Sequence, residues 1–419
     1  MADAPRSQAS PPRLWYGWVV LAVVFLSMCT LIAVRSSFGI FFKAIAGEFA
    51  WSRAQTAGAF SAGLLGQALG SPLAGWLMDR WSIRKTMSLG VLATGAAVFS
   101  LAFTGALWQL YLAYFLLCLA FSGGTWVAQV PTLSNWFVAR RGFAMGVANS
   151  AQGFAFALNV ATPWLIAALG WRGSYAAMAA MLLLVTLPAV AILHRDHPSQ
   201  MGTLPDAPFA GAAPPSQRAA AGPAAARPGF LSPTFFLVAG VYASIAYGFA
   251  ASIVHLVPHA TDQGFSPGAG GVILAVWGAA MVVGNFASAL SDRVGRTPAY
   301  LLGAASSLIL AGFARGDPPL LFHAGAALSG LALGLMRPTA SSLVADNFAG
   351  PGFGRINGIF MAIFALAGAL GPWATGALFD VLGGYREGFW FIGAAYLAGA
   401  AFAAGLGRVG KKTRAAGQQ

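Results

Sequence analysis

Two arginines stand alone in apolar surroundings. Arg35 is the single charged residue between Arg13 and Lys43, and Arg337 the single one between Asp317 and Asp346. A guanidinium inside a membrane span costs roughly 2.5–3.5 kcal/mol, so one that persists there usually lines a pathway. Its planar fork of N–H donors matches a carboxylate, and two such groups on opposite sides of the midplane suit an organic anion. Two plainer readings stand beside this one: Arg35 snorkels to the nearer interface, and Arg337 pairs with Asp346 near the end of its own helix. No acid joins the arginines, because all eleven acidic residues fall in tails, loops or span ends. A proton carrier built on a buried protein carboxylate is therefore disfavoured. That leaves His255, the ligand's own carboxylate or an exchanged anion to couple movement to a gradient. There is no phosphate-cradling loop in a strand–helix context, no zinc-ligand spacing and no nucleophile–base set. An enzyme is not expected, nor any metal or other cofactor. Cys29 and Cys118 each fall inside an apolar block and suggest neither a disulfide nor a metal site.

The elements that must position these groups are membrane helices. Of 419 residues 58% are hydrophobic and 8% charged, whereas a soluble domain carries about 25% charged residues. Apolar blocks long enough to cross the hydrocarbon, about 20 residues each, lie at 16–41, 54–78, 86–105, 107–131, 143–168, 173–193, 232–256, 268–290, 298–314, 319–344, 356–378 and 388–407. Gly63, Gly66, Gly70 and Pro72 recur inside the second, which helices tolerate and strands do not. A membrane barrel is excluded, and twelve transmembrane helices are expected.

Basic residues in short loops stay cytoplasmic. With the chain starting inside, the cytoplasmic connections and tails hold 17 of the 24 basic residues, and the opposite side holds Lys43, Arg53, Arg172, Arg315 and Arg386. Both termini are then cytoplasmic, and the net charge of +13 reflects topology and anionic headgroups of the lipid bilayer rather than nucleic-acid binding. Residues 1–13 are polar and Pro-rich without the apolar core of a signal peptide.

Residues 194–230 carry seven prolines and no apolar period, as a flexible linker does. The expected organisation is a tail at 1–15, a six-helix bundle at 16–193, a cytoplasmic linker at 194–230, a second bundle at 231–407 and a tail at 408–419. The two bundles match at a constant offset. Asp79-Arg80 answers Asp292-Arg293 at 213 residues; Arg141 answers Arg355, and Gly170-Trp171-Arg172 answers Gly384-Tyr385-Arg386, at 214. Parallel duplication of a six-helix unit is an architecture of secondary transporters, with the substrate between the halves.

The run Gly75-Trp76-Leu77-Met78-Asp79-Arg80-Trp81-Ser82-Ile83-Arg84-Lys85 resembles the loop-2/3 motif of the major facilitator superfamily, with Ser82 where glycine is usual, and a degraded copy spans 288–296. Tyr16-Gly17-Trp18, Phe41-Phe42-Lys43 followed by Glu48-Phe49, and Trp136-Phe137 leading to Arg140-Arg141-Gly142 resemble the monocarboxylate transporter family and its bacterial relatives, including oxalate:formate antiporters. The likeness implies an all-α fold of twelve helices in two pseudo-symmetric bundles. It also implies that Asp79, Arg80, Arg84, Asp292 and Arg293 form a conformational latch, for which simple topogenic charge is the competing explanation of Arg84 and Lys85. Two departures stand out. The helix-1 lysine of animal members falls at Ser36, next to Arg35. The helix-8 arginine is replaced by Val283-Gly284-Asn285-Phe286, where Asn285 offers an amide instead of a charge.

His255, in a His-Leu-Val-Pro run, resembles the helix-7 histidine of bacterial members. Polar groups expected to face a cavity include Tyr114, Thr125, Trp126 and Gln129, then Asn149, Gln152 and Asn159, then Tyr242, Tyr247 and Ser252; part of this set should serve instead as glue between helices. Taken together the residues point to a monomeric secondary transporter in a bacterial inner membrane. Its expected partner is a small mono- or dicarboxylate, bound by Arg35, Tyr114, Gln129, Tyr247, His255, Asn285 and Arg337 and moved with a co-transported proton or against a counter-anion. The alternative is a carrier or exporter of an aromatic or amphiphilic compound. A sensor that borrowed the fold would add an output domain, for which the short linker leaves no room.

Overall fold

The computed structural model of the chain describes residues 15–206, 232–288, 297–313, 317–348 and 353–416. Fourteen α-helices fill them: α1 Gly17–Ser36, α2 Phe38–Phe49, α3 Arg53–Arg80, α4 Ile83–Leu101, α5 Leu107–Phe121, α6 Trp126–Trp136, α7 Arg141–Leu158 and α8 Thr162–Met181 in the first half. The second half holds α9 Pro233–Asp262, α10 Pro267–Ala287, α11 Thr297–Gly312, α12 Pro319–Phe348, α13 Phe353–Leu382 and α14 Arg386–Ala416.

Among the described residues eight stretches are long and apolar enough to cross a membrane. One, Arg141–Leu193, runs for 53 residues, which at 1.5 Å per residue is about twice the length one crossing needs. It is bent where Gly170 adopts φ +68°, a left-handed backbone that suits a residue without a Cβ. Helix α3 falls outside the eight despite its 28 residues because Gln55, Ser61, Gln67 and Ser71 lower its hydropathy.

The helices are more broken than their apolar runs suggest. The first block ends α1 at Ser36 and restarts as α2 at Phe38. The fourth is split by a 3-10 turn at Ser122–Gly124, where Gly123 and Gly124 lie close to Gly90 of α4. Around Pro188, which has no N–H to give, the backbone widens into π-helical turns at Leu182–Thr186 and Ala189–Leu193.

In lipid, helices associate by close packing rather than by the hydrophobic effect, which rewards small residues at crossings. A Cβ on Gly66 or Gly70 would collide with the Phe115 or Leu119 carbonyl of α5, and one on Gly330 or Gly334 with the Trp277 or Met281 carbonyl of α10. The halves meet along α3 with α13, α7 with α10 and α2 with α9. At Gly39 a Cβ would come within 2.7 Å of the Ile253 carbonyl. Residues 194–206, which composition alone assigns to a flexible linker, are tied to the first half. Trp136 and Asn135 donate to the Arg195 and Asp196 carbonyls at 2.8 and 3.0 Å, and the Asp206 carboxylate accepts the backbone N–H groups of Val138, Ala139 and Arg140.

Candidate functional site

The two ends of the molecule differ. At the end carrying the 81–82 and 137–140 loops, a cavity of about 400 Å³ opens between the halves. Its wall takes Trp126 from α6, Asn149 and Gln152 from α7, Tyr242 from α9, Asn285 from α10 and Arg337 from α12. Of the residues singled out as binding candidates, Arg337 and Asn285 therefore share this wall. Arg337 donates to Gln152 Oε1 at 3.4 Å and lies over the Phe249 ring at 5.2 Å. No acidic residue is among the described residues that line the cavity.

Gln129 does not line it but stands behind it: 2% exposed, it donates from Nε2 to Asn149 Oδ1 at 3.0 Å and so fixes which way the Asn149 amide faces. Tyr114 is fully buried with its hydroxyl 3.0 Å from that of Tyr175. Tyr247 presents its carbonyl to Gly371 of α13.

Arg35 is buried rather than snorkelled. It is 8% exposed, lies over Phe60 at 5.4 Å and Phe121 at 5.1 Å, and its Nε has no hydrogen-bond partner among the described residues. It does not line the cavity. A guanidinium enclosed by rings, without a carboxylate in ion-pair range among the described residues, is an expensive arrangement that a bound anion would relieve.

His255 is neither solvated nor in the cavity. It is fully buried, with Nε2 2.8 Å from the Pro372 carbonyl and Nδ1 3.2 Å from the Tyr385 hydroxyl. A carbonyl can only accept, so Nε2 carries the proton, and in the neutral ring Nδ1 accepts from Tyr385. The ring thus braces α9 against α13 and the loop after it.

At the opposite end the halves are joined by charges whose place in the sequence the positive-inside rule explains only as topology. Lys43 reaches Asp262 at 2.5 Å and Arg53 reaches it at 3.3 Å, both from the other half. The Asp380 carboxylate, at the far end of α13, accepts the backbone N–H groups of Arg53 and Ala54 at 2.8 Å each, capping α3 across the interface. The Arg53 guanidinium also lies over Phe42, Phe379 and Tyr385. The available signal was the scarcity of such groups: Lys43 and Arg53 are two of the five basic residues expected on this side.

Of the residues expected to form a latch, Asp79, Arg80 and Arg84 lie at the end where the cavity opens. Asp79 and Arg80 are exposed, Arg80 lying over Trp76 at 5.8 Å, and Asp79 borders a second cavity of about 550 Å³ with Asp196 and His197. Arg84 donates its backbone N–H to Asp196 at 2.8 Å. Burial pushes the Asp196 carboxyl up, but the His194 hydrogen bond and the Arg84 N–H outweigh it and hold the group below the usual carboxylate range. Asp292 and Arg293 lie outside the described residues. Among the described residues no group of three or more His, Cys, Asp or Glu could hold a metal ion.

The model of the Major Facilitator Superfamily matches residues 24–314 and 286–418. The chain is 30% identical to monocarboxylate transporter 13 of Bos taurus over 94% of its length and 89% of that protein. It is likewise 30% identical to monocarboxylate transporter 11 of Homo sapiens over 96% and 85%. An uncharacterised transporter of the same superfamily, YcxA of Bacillus subtilis, is 25% identical over 88% and 90%. The crystal structure of a bacterial homologue of the human lysosomal transporter Spinster, inward-facing and unoccupied, superposes with a TM-score of 0.71 at 18% identity, covering 97% of this chain and 99% of that one.

Proposed function

Because the chain belongs to the Major Facilitator Superfamily, and within it to the monocarboxylate transporter family, we propose that it carries an organic anion across the membrane by alternating access. It is a multi-pass membrane transporter; the anion and the cycle are our reading. The observation that carries this reading is Arg337 in the wall of the inter-half cavity, with hydrogen-bonding amides beside it and no acid among the described lining residues. In our reading the molecule has twelve crossings with both termini at the basic, cytoplasmic end. The cavity is then the cytoplasm-facing substrate site, and the Lys43–Asp262–Arg53 cluster is the closed outer gate. Arg35, enclosed above Phe60 and Phe121, is the second charge the anion meets as the gate parts. His255 has both ring nitrogens engaged, which favours coupling through the substrate's own carboxylate, as proton symport, or through an exchanged anion. Compact loops support a bacterial inner-membrane setting.

The test is uptake of labelled carboxylates into proteoliposomes, with and without internal anion or a pH gradient. Uptake should follow one of those gradients and fall at least tenfold in Arg337→Gln. No carboxylate uptake by the wild type under any gradient, or unchanged uptake in Arg337→Gln, contradicts the proposal. Uptake of an uncharged aromatic compound in place of carboxylates supports the second reading, which Trp126 and Tyr242 in the wall favour.

A further inference from the structure

The cavity wall limits which anion fits. We propose that the ligand is a monoanionic carboxylate on a flat aromatic body, an inference that rests on the Arg337 cavity being the substrate site. The first constraint is size. About 400 Å³ is within the range of pockets that enclose drug-sized ligands. A two- or three-carbon acid would leave most of that space to water. The second is valence. Arg337 is the one guanidinium among the described lining residues, so a second carboxylate on the ligand would lose its hydration against neutral amides.

The third constraint is the direction of the hydrogen bonds. Asn149 Oδ1 is taken by Gln129 Nε2, and Gln152 Oε1 by Arg337. The Asn149 and Gln152 amides thus each have the oxygen engaged and the N–H2 left to donate. These two amides meet a ligand with donors, which suits carboxylate oxygens. The fourth is shape. Trp126, Tyr242 and Phe364 enter the wall from three helices, Trp126 held edge-on to Phe121 at 5.6 Å and Tyr242 against Phe360 at 5.4 Å. Rings set in this way offer faces and edges to a flat ligand.

Gln129 is in this account a positioning residue, and its role makes the proposal testable apart from size alone. In Gln129→Glu the new carboxylate can only accept, so it turns the Asn149 amide over and points a carbonyl oxygen into the cavity. The experiment is calorimetric titration of the purified full-length protein in nanodiscs with 3-phenylpropionate, acetate, succinate and uncharged 3-phenylpropionamide. The wild type should bind 3-phenylpropionate at least tenfold more tightly than each of the others. Trp126→Ala should narrow the gap between phenylpropionate and acetate. Gln129→Glu should weaken phenylpropionate several-fold and strengthen the amide. Acetate or succinate binding as tightly as phenylpropionate overturns this inference and leaves the anion-carrier reading standing. Failure of all three carboxylates to bind, or an amide that matches phenylpropionate, overturns that reading as well.

Discussion

Glu48 and Asp262 occupy equivalent places, 214 residues apart, and do opposite things. Each sits just before a left-handed residue, Ala50 at φ 51° and Gly264 at φ 98°, and a serine cap, Ser52 and Ser266, that opens the next helix. Glu48 accepts from Trp171 Nε1 at 2.5 Å and pairs with Arg172, both within its own half. Asp262 turns the other way, to Lys43 and Arg53 of the opposite half. Arg386, the counterpart of Arg172, is left exposed. One duplicated carboxylate has become a staple inside a bundle and the other a tie between bundles. In the proposed cycle a staple stays closed while the bundles move as units, whereas a tie must break each time the end it closes opens.

The largest effect should follow from cutting the tie. Asp262→Asn should shift the balance between outer-closed and outer-open forms by about 5–30-fold, the weight of roughly 1–2 kcal/mol, read as labelling of an introduced outer cysteine. Combining it as Lys43→Asp with Asp262→Lys should recover part of that loss, because the two side chains meet directly. Glu48→Gln should leave that labelling unchanged and lower the unfolding temperature only slightly, since it removes one exposed ion pair and leaves an oxygen that can still accept from the Trp171 indole. An opening effect in Glu48→Gln would erase the distinction. The smallest effects concern the left-handed residues. Gly264→Ala should destabilise by about 1 kcal/mol, while Ala50→Gly should change little, relief of left-handed strain being offset by chain entropy. Denaturation monitored by intrinsic fluorescence measures both.

Much of this was legible in the chain. A charge in an apolar run announces itself, so Arg337, and the amide at Asn285, stand out in the sequence, and both line the cavity. The duplication was legible too, because three matches fell at nearly one offset. Facing was not. Gln129 and Asn149 are both amides in spans, and nothing in their spacing says that one lines the cavity while the other orients it. His255 looked like an interfacial histidine because sequence distance hides Pro372 and Tyr385, more than a hundred residues away. The tie was missed for the same reason: Lys43 and Asp262 are 219 positions apart, and the positive-inside rule explains where a basic residue sits without naming its partner. The breaks at Ser37 and at Gly123-Gly124 were hidden by unbroken hydropathy, which measures lipid compatibility and is blind to backbone direction.

In our reading the molecule is open at the basic end because the opposite, outer end is tied through Asp262. Spin labels on Gly47→Cys and Gly384→Cys, one on each half at the outer end, report that closure directly in lipid nanodiscs by electron double resonance. The account predicts one short distance in the otherwise unchanged chain and growth of a longer one when Asp262→Asn is added, with no such change for Glu48→Gln. An identical distance distribution in all three would contradict it.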